Sequence, residues 1–231
     1  MPIPLLYALL TAVATLVGGS LPLTTRLRQI EKRYAIAFAG GAMVSIAFFD
    51  LIPRMKVHNA AALAAGFFGL YLIEKLVLIH ACGEAECETH VISLPAVIGI
   101  AAESLIDGIA IAVSYQVEPA LSILVAAAVF AHELPRGFAT TAIMRGAGHA
   151  LPATLLVLAI DAGFTPLGVL LARGFPTTWF EPLLGFTAGV FLYVGASDLL
   201  PEAHRRLNLK VVFSTLTGAL IVPVLAALVT A

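Results

Sequence analysis

Residues 102–144 read AESLIDGIAIAVSYQVEPALSILVAAAVFAHELPRGFATTAIM, and this stretch decides the fold. Two apolar runs flank Glu118-Pro119, each too long for a barrel strand and neither alternating with a strand's period of two. Each run nevertheless carries ionisable residues near its middle: Glu103 and Asp107 in the first, His132, Glu133 and Arg136 in the second. An apolar run of about 20 residues suits a bilayer core, where one charge costs about 2.5–3.5 kcal/mol on the most lenient scale. Groups placed there at such a cost are expected to meet one another or to line a water-filled cavity.

Outward from this stretch the apolar pattern recurs. Of 231 residues, 60% are hydrophobic and 12% charged. A soluble domain sits nearer 45–50% and 25%, so lipid is the expected solvent. Runs at about 4–21, 34–53, 60–79, 91–115, 120–144, 151–172, 182–201 and 211–229 predict an all-α integral membrane protein of eight transmembrane helices in a single transporter domain, 1–231. The first run lacks the basic n-region and small-residue cleavage site of a signal peptide and reads as a genuine span. Lys and Arg concentrate in cytoplasmic loops. Eight fall on one side (Arg26, Arg28, Lys32, Arg33, Arg145, Arg205, Arg206, Lys210) and three on the other (Arg54, Lys56, Arg173), which predicts both termini extracytoplasmic. The expected location is a prokaryotic plasma (inner) membrane. The net charge of −1 points to no nucleic acid.

Two pairs of segments echo each other. Asp50-Leu51-Ile52-Pro53 ends the second span and Asp198-Leu199-Leu200-Pro201 the seventh. Glu103-Ser104-Leu105-Ile106-Asp107-Gly108 in the fourth span parallels His132-Glu133-Leu134-Pro135-Arg136-Gly137 in the fifth. Members of each pair cross in opposite directions, so inverted repeats around a central helix pair are expected, with a site near the midplane.

Glu103 and Asp107, like His132 and Arg136, are spaced i,i+4 and share a helix face. Two carboxylates and an imidazole at one depth point to a cation site, with Glu133 as a further ligand. Mixed nitrogen and oxygen donors suit zinc and its first-row neighbours better than calcium. The bland alternative is a salt-bridge lattice in which Arg136 neutralises Glu103 or Asp107 and locks two helices. One Arg cannot neutralise every acid at this depth, because Asp161 of the sixth span lies there too, open to either Arg136 or the metal. Ser104 and Thr165 supply hydroxyls beside these groups. Met43 in the second span offers a thioether, although packing is its ordinary role. Asp50, Asp198, Glu202 and His204, near span ends, are candidate pathway residues, with simple solvation as the alternative. The loop 80–90 brings His80, Cys82, Cys87 and His90 together with three glutamates. It reads as a cytoplasmic metal-holding loop or a solvated acidic one, and its two cysteines make no disulfide framework.

At these residues the chain resembles the ZIP family of divalent transition-metal transporters. The fourth-span motif, like H-x-x-x-[DE]-G, is seen as Glu103 to Gly108, and the fifth-span motif, like H-[NE]-x-P-[EQ]-[GE], as His132 to Gly137. Gly40-Gly41-Ala42-Met43 through Pro53, Asp161 through Gly168 and Asp198 through Ala203 resemble the second, sixth and seventh spans. The resemblance implies import of zinc, or of Cd, Mn or Fe, toward the cytosol. The metal is then substrate rather than prosthetic group, the bilayer and a metal ion are the partners, and a homodimer is compatible. Three departures matter. Glu103 stands where the family has His, Arg136 where it has a metal-bridging carboxylate, and Thr165 where it has Glu. Arg cannot deprotonate in a protein, so one metal is expected, with Arg136 in the place of a second ion. An altered substrate or a metal-sensing role is the alternative. An intramembrane hydrolase is disfavoured, since His132-Glu133 begins H-E-x-x-H but Arg136 holds the place of the second His.

Overall fold

The structure, a computed structural model, describes residues 2–23, 32–55, 59–81, 94–146, 148–205 and 208–230. Among them all regular structure is helical. Helix α1 is Pro2–Ser20. Helix α2 begins as Lys32–Ile46, widens into a π turn at Ala47–Leu51 and ends with Ile52–Arg54. Then follow α3 (Ala60–Ala81), α4 (Leu94–Val117), α5 (Pro119–Gly146) and α6 (Leu151–Leu171). Helix α7 runs Phe180–Leu192, widens at Tyr193–Leu199 and closes with Leu200–Ala203; α8 is Leu209–Thr230.

Among the described residues, six stretches are long and apolar enough to cross a membrane: Ile3–Leu23, Arg33–Arg54, Val97–Val117, Pro119–Ala142, Leu151–Gly174 and Thr177–Ala203. Helices α3 and α8 have 22 residues each, which at about 1.5 Å per residue matches a hydrocarbon core of roughly 30 Å. The interior holds an apolar core, and the outer surface is apolar as well, as a lipid-facing protein requires. Leu6, Leu9 and Val13 of α1, Leu72 and Leu76 of α3, and Phe213, Leu216 and Leu220 of α8 are exposed. Thr11, Thr15, Ser104, Asp107, His132, Glu133, Asp161 and Thr165 are buried. Apolar surface costs nothing against lipid tails, whereas a polar group there costs several kcal/mol, so the polar residues turn inward.

The two π turns have one cause. Pro53 and Pro201 each lack an N–H and crowd the carbonyl four residues back, and a wider turn relieves both problems. Asp50 and Asp198 both fall inside these turns. Pro135 and Pro166 lie instead inside helices that continue through them.

Packing follows a paired scheme. Helix α1 lies on α5 as α6 lies on α4; α8 lies on α2 as α3 lies on α7; α2 touches α5 as α7 touches α4. Glycine sets the closest approaches. A Cβ on Gly108 would collide with the carbonyl of Thr165, and one on Gly168 with that of Leu105. On the other side Gly137 meets the carbonyl of Thr15, and Gly18 that of Leu134. The contacts use the same two places, third and sixth, of the paired motifs in α4 and α5. Backbones this close bring the site residues of α4, α5, α1 and α6 within reach of one another. Gly108→Val is therefore expected to lower thermal stability by about 1–3 kcal/mol or more through overpacking. Gly99→Ala, where an added Cβ meets nothing, should leave melting unchanged, as detergent size-exclusion profiles after heating would show.

Candidate metal centre

Packing of α4 against α5 brings Glu103, Asp107 and His132 together, with one ligand atom from each lying within 4.8 Å of the others. Asp107 and His132 are buried and Glu103 is partly so. The orientation of His132 is informative. Its Nδ1 lies 3.2 Å from the Ala128 carbonyl, and a carbonyl only accepts, so Nδ1 is the donor. Nε2 then turns toward Asp107 Oδ2 at 3.2 Å. In the neutral ring Nε2 presents a lone pair, and a lone pair facing a carboxylate needs positive charge between them. A backbone carbonyl that sets the tautomer and aims the other nitrogen at an acid is the usual support of a metal-binding His.

Arg136 stands beside this group as a fork with unlike ends. Nη2 donates to Ser104 Oγ at 2.7 Å, to Asp161 Oδ1 at 2.9 Å and to Glu133 Oε1. Nη1 lies 2.9 Å from Glu103 Oε1 and 3.8 Å from Asp107 Oδ2. Glu133 Oε2 accepts from the Thr15 hydroxyl, and Oε1 is 3.8 Å from His132 Nε2. Ser104 Oγ also sits 2.5 Å from Asp161 Oδ1. One guanidinium thus faces the carboxylates of Glu103, Asp107, Glu133 and Asp161. The excess negative charge is of the kind a divalent cation neutralises. Buried polar atoms left without a hydrogen bond include Asp161 Oδ2, Thr165 Oγ1, Arg136 Nε and Arg136 Nη1.

The remaining sequence candidates lie elsewhere. Met43 is buried in the apolar cluster with Ala42, Ile46 and Leu51. Asp50 pairs with Arg54 at 3.2 Å, and Arg54 also holds Glu118 at 2.8 Å, tying the end of α2 to the α4–α5 turn. Asp198 lies in the α7 π turn with Glu74 and Glu103 as charged neighbours. Glu202 pairs with Arg205 at 2.6 Å, and His204 Nδ1 is 2.8 Å from the Leu200 carbonyl. His80 belongs to the end of α3, whereas Cys82, Cys87 and His90 lie outside the described residues.

Two features escaped the sequence reading. Thr15 reaches Glu133 from α1, and its signal was the spacing Thr15-x-x-Gly18, which repeats as Thr165-x-x-Gly168. Glu74 of α3 accepts from the Tyr193 hydroxyl and pairs with Lys75 at 3.1 Å. Lys75 and Tyr193 line a cavity of about 260 Å³ together with Phe67, Phe68, Tyr71 and Ser197. An acid inside an apolar span was signal enough there.

Comparison with known proteins agrees with this chemistry. The family model described as ZIP Zinc transporter matches residues 80–226. A curated relative, "Metal cation symporter ZIP14" of Xenopus tropicalis, is 30% identical over 106 residues, which is 44% of this chain and 22% of that protein. The match thus takes in only about a fifth of that relative's length. The relative is a frog protein and lends no support to a prokaryotic inner membrane. The matched region contains α4, α5, α6 and α7, hence all three residues of the cluster, and with six apolar helices of spanning length among the described residues the chain is a multi-pass integral membrane protein that belongs to the ZIP zinc transporter family.

Proposed function

We propose that the protein moves a divalent transition metal, zinc first and Cd, Mn or Fe after it, across the membrane toward the cytosol. The observation that carries this reading is the buried Glu103, Asp107 and His132 cluster, with His132 Nε2 aimed at Asp107 Oδ2. Two carboxylates and one imidazole make three first-row donors. A fourth position falls to water or to Glu133, while Met43, set among apolar side chains, is the weakest candidate. Charge argues for one ion. Arg136 already lies on two of the three ligands, and a second divalent ion beside a guanidinium would be strongly repelled.

The eight-span topology with both termini outside belongs to the same proposal. Its support is the matched packing of α1 and α6 on the central pair, and of α8 on α2 as α3 on α7. The glycine contacts repeat there as well: Gly41 meets Thr215 and Gly218 meets Phe38, while Gly189 meets Leu63 and Gly66 meets Phe186. Such a duplication is what two inverted three-helix repeats around α4 and α5 would leave. Asp198, with Glu74 and Glu103 as charged neighbours, is the acid we assign to transit on one side of the site. Asp50, held by Arg54, is its counterpart on the other side.

Purified protein in liposomes tests the reading. Zinc should accumulate inside against a chelated control, and elemental analysis should find about one metal per chain. Neither bound metal nor flux would sink the reading. The alternative, an altered substrate or a sensor on the same scaffold, draws on the contact of Arg136 with Glu103; metal bound without flux would favour the sensor.

A further inference from the structure

We propose that Arg136 is a tethered counter-cation: it offsets part of the charge of the metal ligands when no metal is carried, and swings aside without leaving the site when metal binds. The proposal rests on the metal-transport reading above and adds to it how the carrier completes its cycle.

The two ends of the guanidinium are held differently. Nη2 has hydrogen bonds to Ser104, Asp161 and Glu133. Nη1 has only charge contact, to Glu103 and Asp107, with no aligned hydrogen bond, and Nε has none either. One end is an anchor and the other is held by Coulomb attraction alone. Nη1 sits on two of the three residues that would hold the metal.

A divalent ion on those carboxylates would repel Nη1. The structure offers the displaced nitrogen a place to go. Asp161 uses only Oδ1 for the anchor, while its Oδ2 is buried and unpartnered, as is the Thr165 hydroxyl one turn further along α6. A rotation about the anchored Nη2 would bring Nη1 or Nε onto Asp161 Oδ2 and convert a single bond into the two-pronged pairing that guanidinium and carboxylate favour. The metal ligands are then free, and Arg136 never leaves its acids.

The consequence concerns the return step. Clustered carboxylates at mid-membrane depth without a cation are costly, so a carrier that has released its metal ordinarily needs protons or another ion to reset. Here the chain supplies part of that charge itself, through Arg136. Removing the charge should therefore slow the half-cycle that carries no metal more than the one that does.

The experiment compares two readouts in proteoliposomes: net zinc uptake into zinc-free vesicles, and exchange of isotopic zinc into vesicles preloaded with zinc. In Arg136→Gln, zinc should bind about tenfold more tightly or better, because its competitor is gone. The ratio of net uptake to exchange should fall by about tenfold or more. Equal loss of both, or loss of neither, would overturn the proposal. Arg136→Lys keeps the charge and covers the case in which the Gln variant does not fold. Its ratio of net uptake to exchange should stay within about threefold of wild type, and a collapse of that ratio would overturn the proposal. A wild-type protein that shows neither net uptake nor exchange would refute the transport reading beneath it, a result distinct from a changed ratio in the variants.

Discussion

Replacing Asp107 by alanine is expected to abolish metal flux while leaving the protein folded. Asp107 is buried, lies 3.2 Å from His132 Nε2 and 3.8 Å from Arg136 Nη1, and comes from the middle of α4. Three donors are few for a first-row ion, and losing one leaves Glu103 and His132 alone. Even the supporting partners of metal ligands change affinity by about 10–100-fold, so a direct ligand should cost more than about 100-fold. The fold should survive, because the substitution removes an acid from a cluster with too many for its one Arg. Zinc binding by calorimetry and zinc flux in liposomes check the outcome, with a size-exclusion profile as the folding control. Flux close to wild type would remove Asp107 from the ligand set. Asp107→Asn sharpens the reading: it keeps the shape, loses the charge, and should fail nearly as badly.

Arg136→Glu should raise bound metal from one to two per chain. The change replaces a guanidinium in contact with Glu103, Asp107, Glu133 and Asp161 by a further carboxylate. A unit-charge pair near 4 Å is worth about 4 kcal/mol at an effective dielectric of 20, so exchanging repulsion for attraction far exceeds the tenfold step of 1.4 kcal/mol. Asp161 Oδ2 and Thr165 Oγ1, both unpartnered, would supply further oxygens on the α6 side. Without metal the variant should be less stable than wild type, since its buried acids have lost their cation, and added zinc should restore its melting temperature. Elemental analysis and melting curves with and without zinc measure both effects. A stoichiometry that stays at one would show that Arg136 does not stand in the place of an ion.

The charged residues of α4 and α5 show how much of the fold is legible in the sequence. Long apolar runs declare themselves, because lipid admits only helices or closed barrels and the runs do not alternate. The i,i+4 spacing of Glu103 with Asp107, and of His132 with Arg136, places each pair on one face. Spacing is silent about rotation of that face toward a neighbour. For this reason Asp161 was open between Arg136 and a metal, and only the approach of α6 to α4, through Gly108 and Gly168, pairs it with Arg136. Thr15 was invisible for the same reason. A threonine in an apolar helix commonly satisfies itself on a carbonyl of the preceding turn, and Thr15 does lie 3.2 Å from the Thr11 carbonyl. Its second contact, with Glu133, depends on α1 lying on α5.

By itself the sequence determined that this chain lives in lipid as helices, and which ionisable residues lie deep within those helices. Both follow from one-dimensional facts: the length of an apolar run and the cost of a charge within it. The tertiary structure decided the partners. It aimed His132 at Asp107, split the Arg136 fork between an end hydrogen-bonded to Ser104, Glu133 and Asp161 and one facing Glu103 and Asp107, and left Asp161 an unused oxygen. Those outcomes depend on helix rotation and backbone approach, which are set by glycines meeting carbonyls of distant helices. No local pattern carries that information, because each contact needs both surfaces at once.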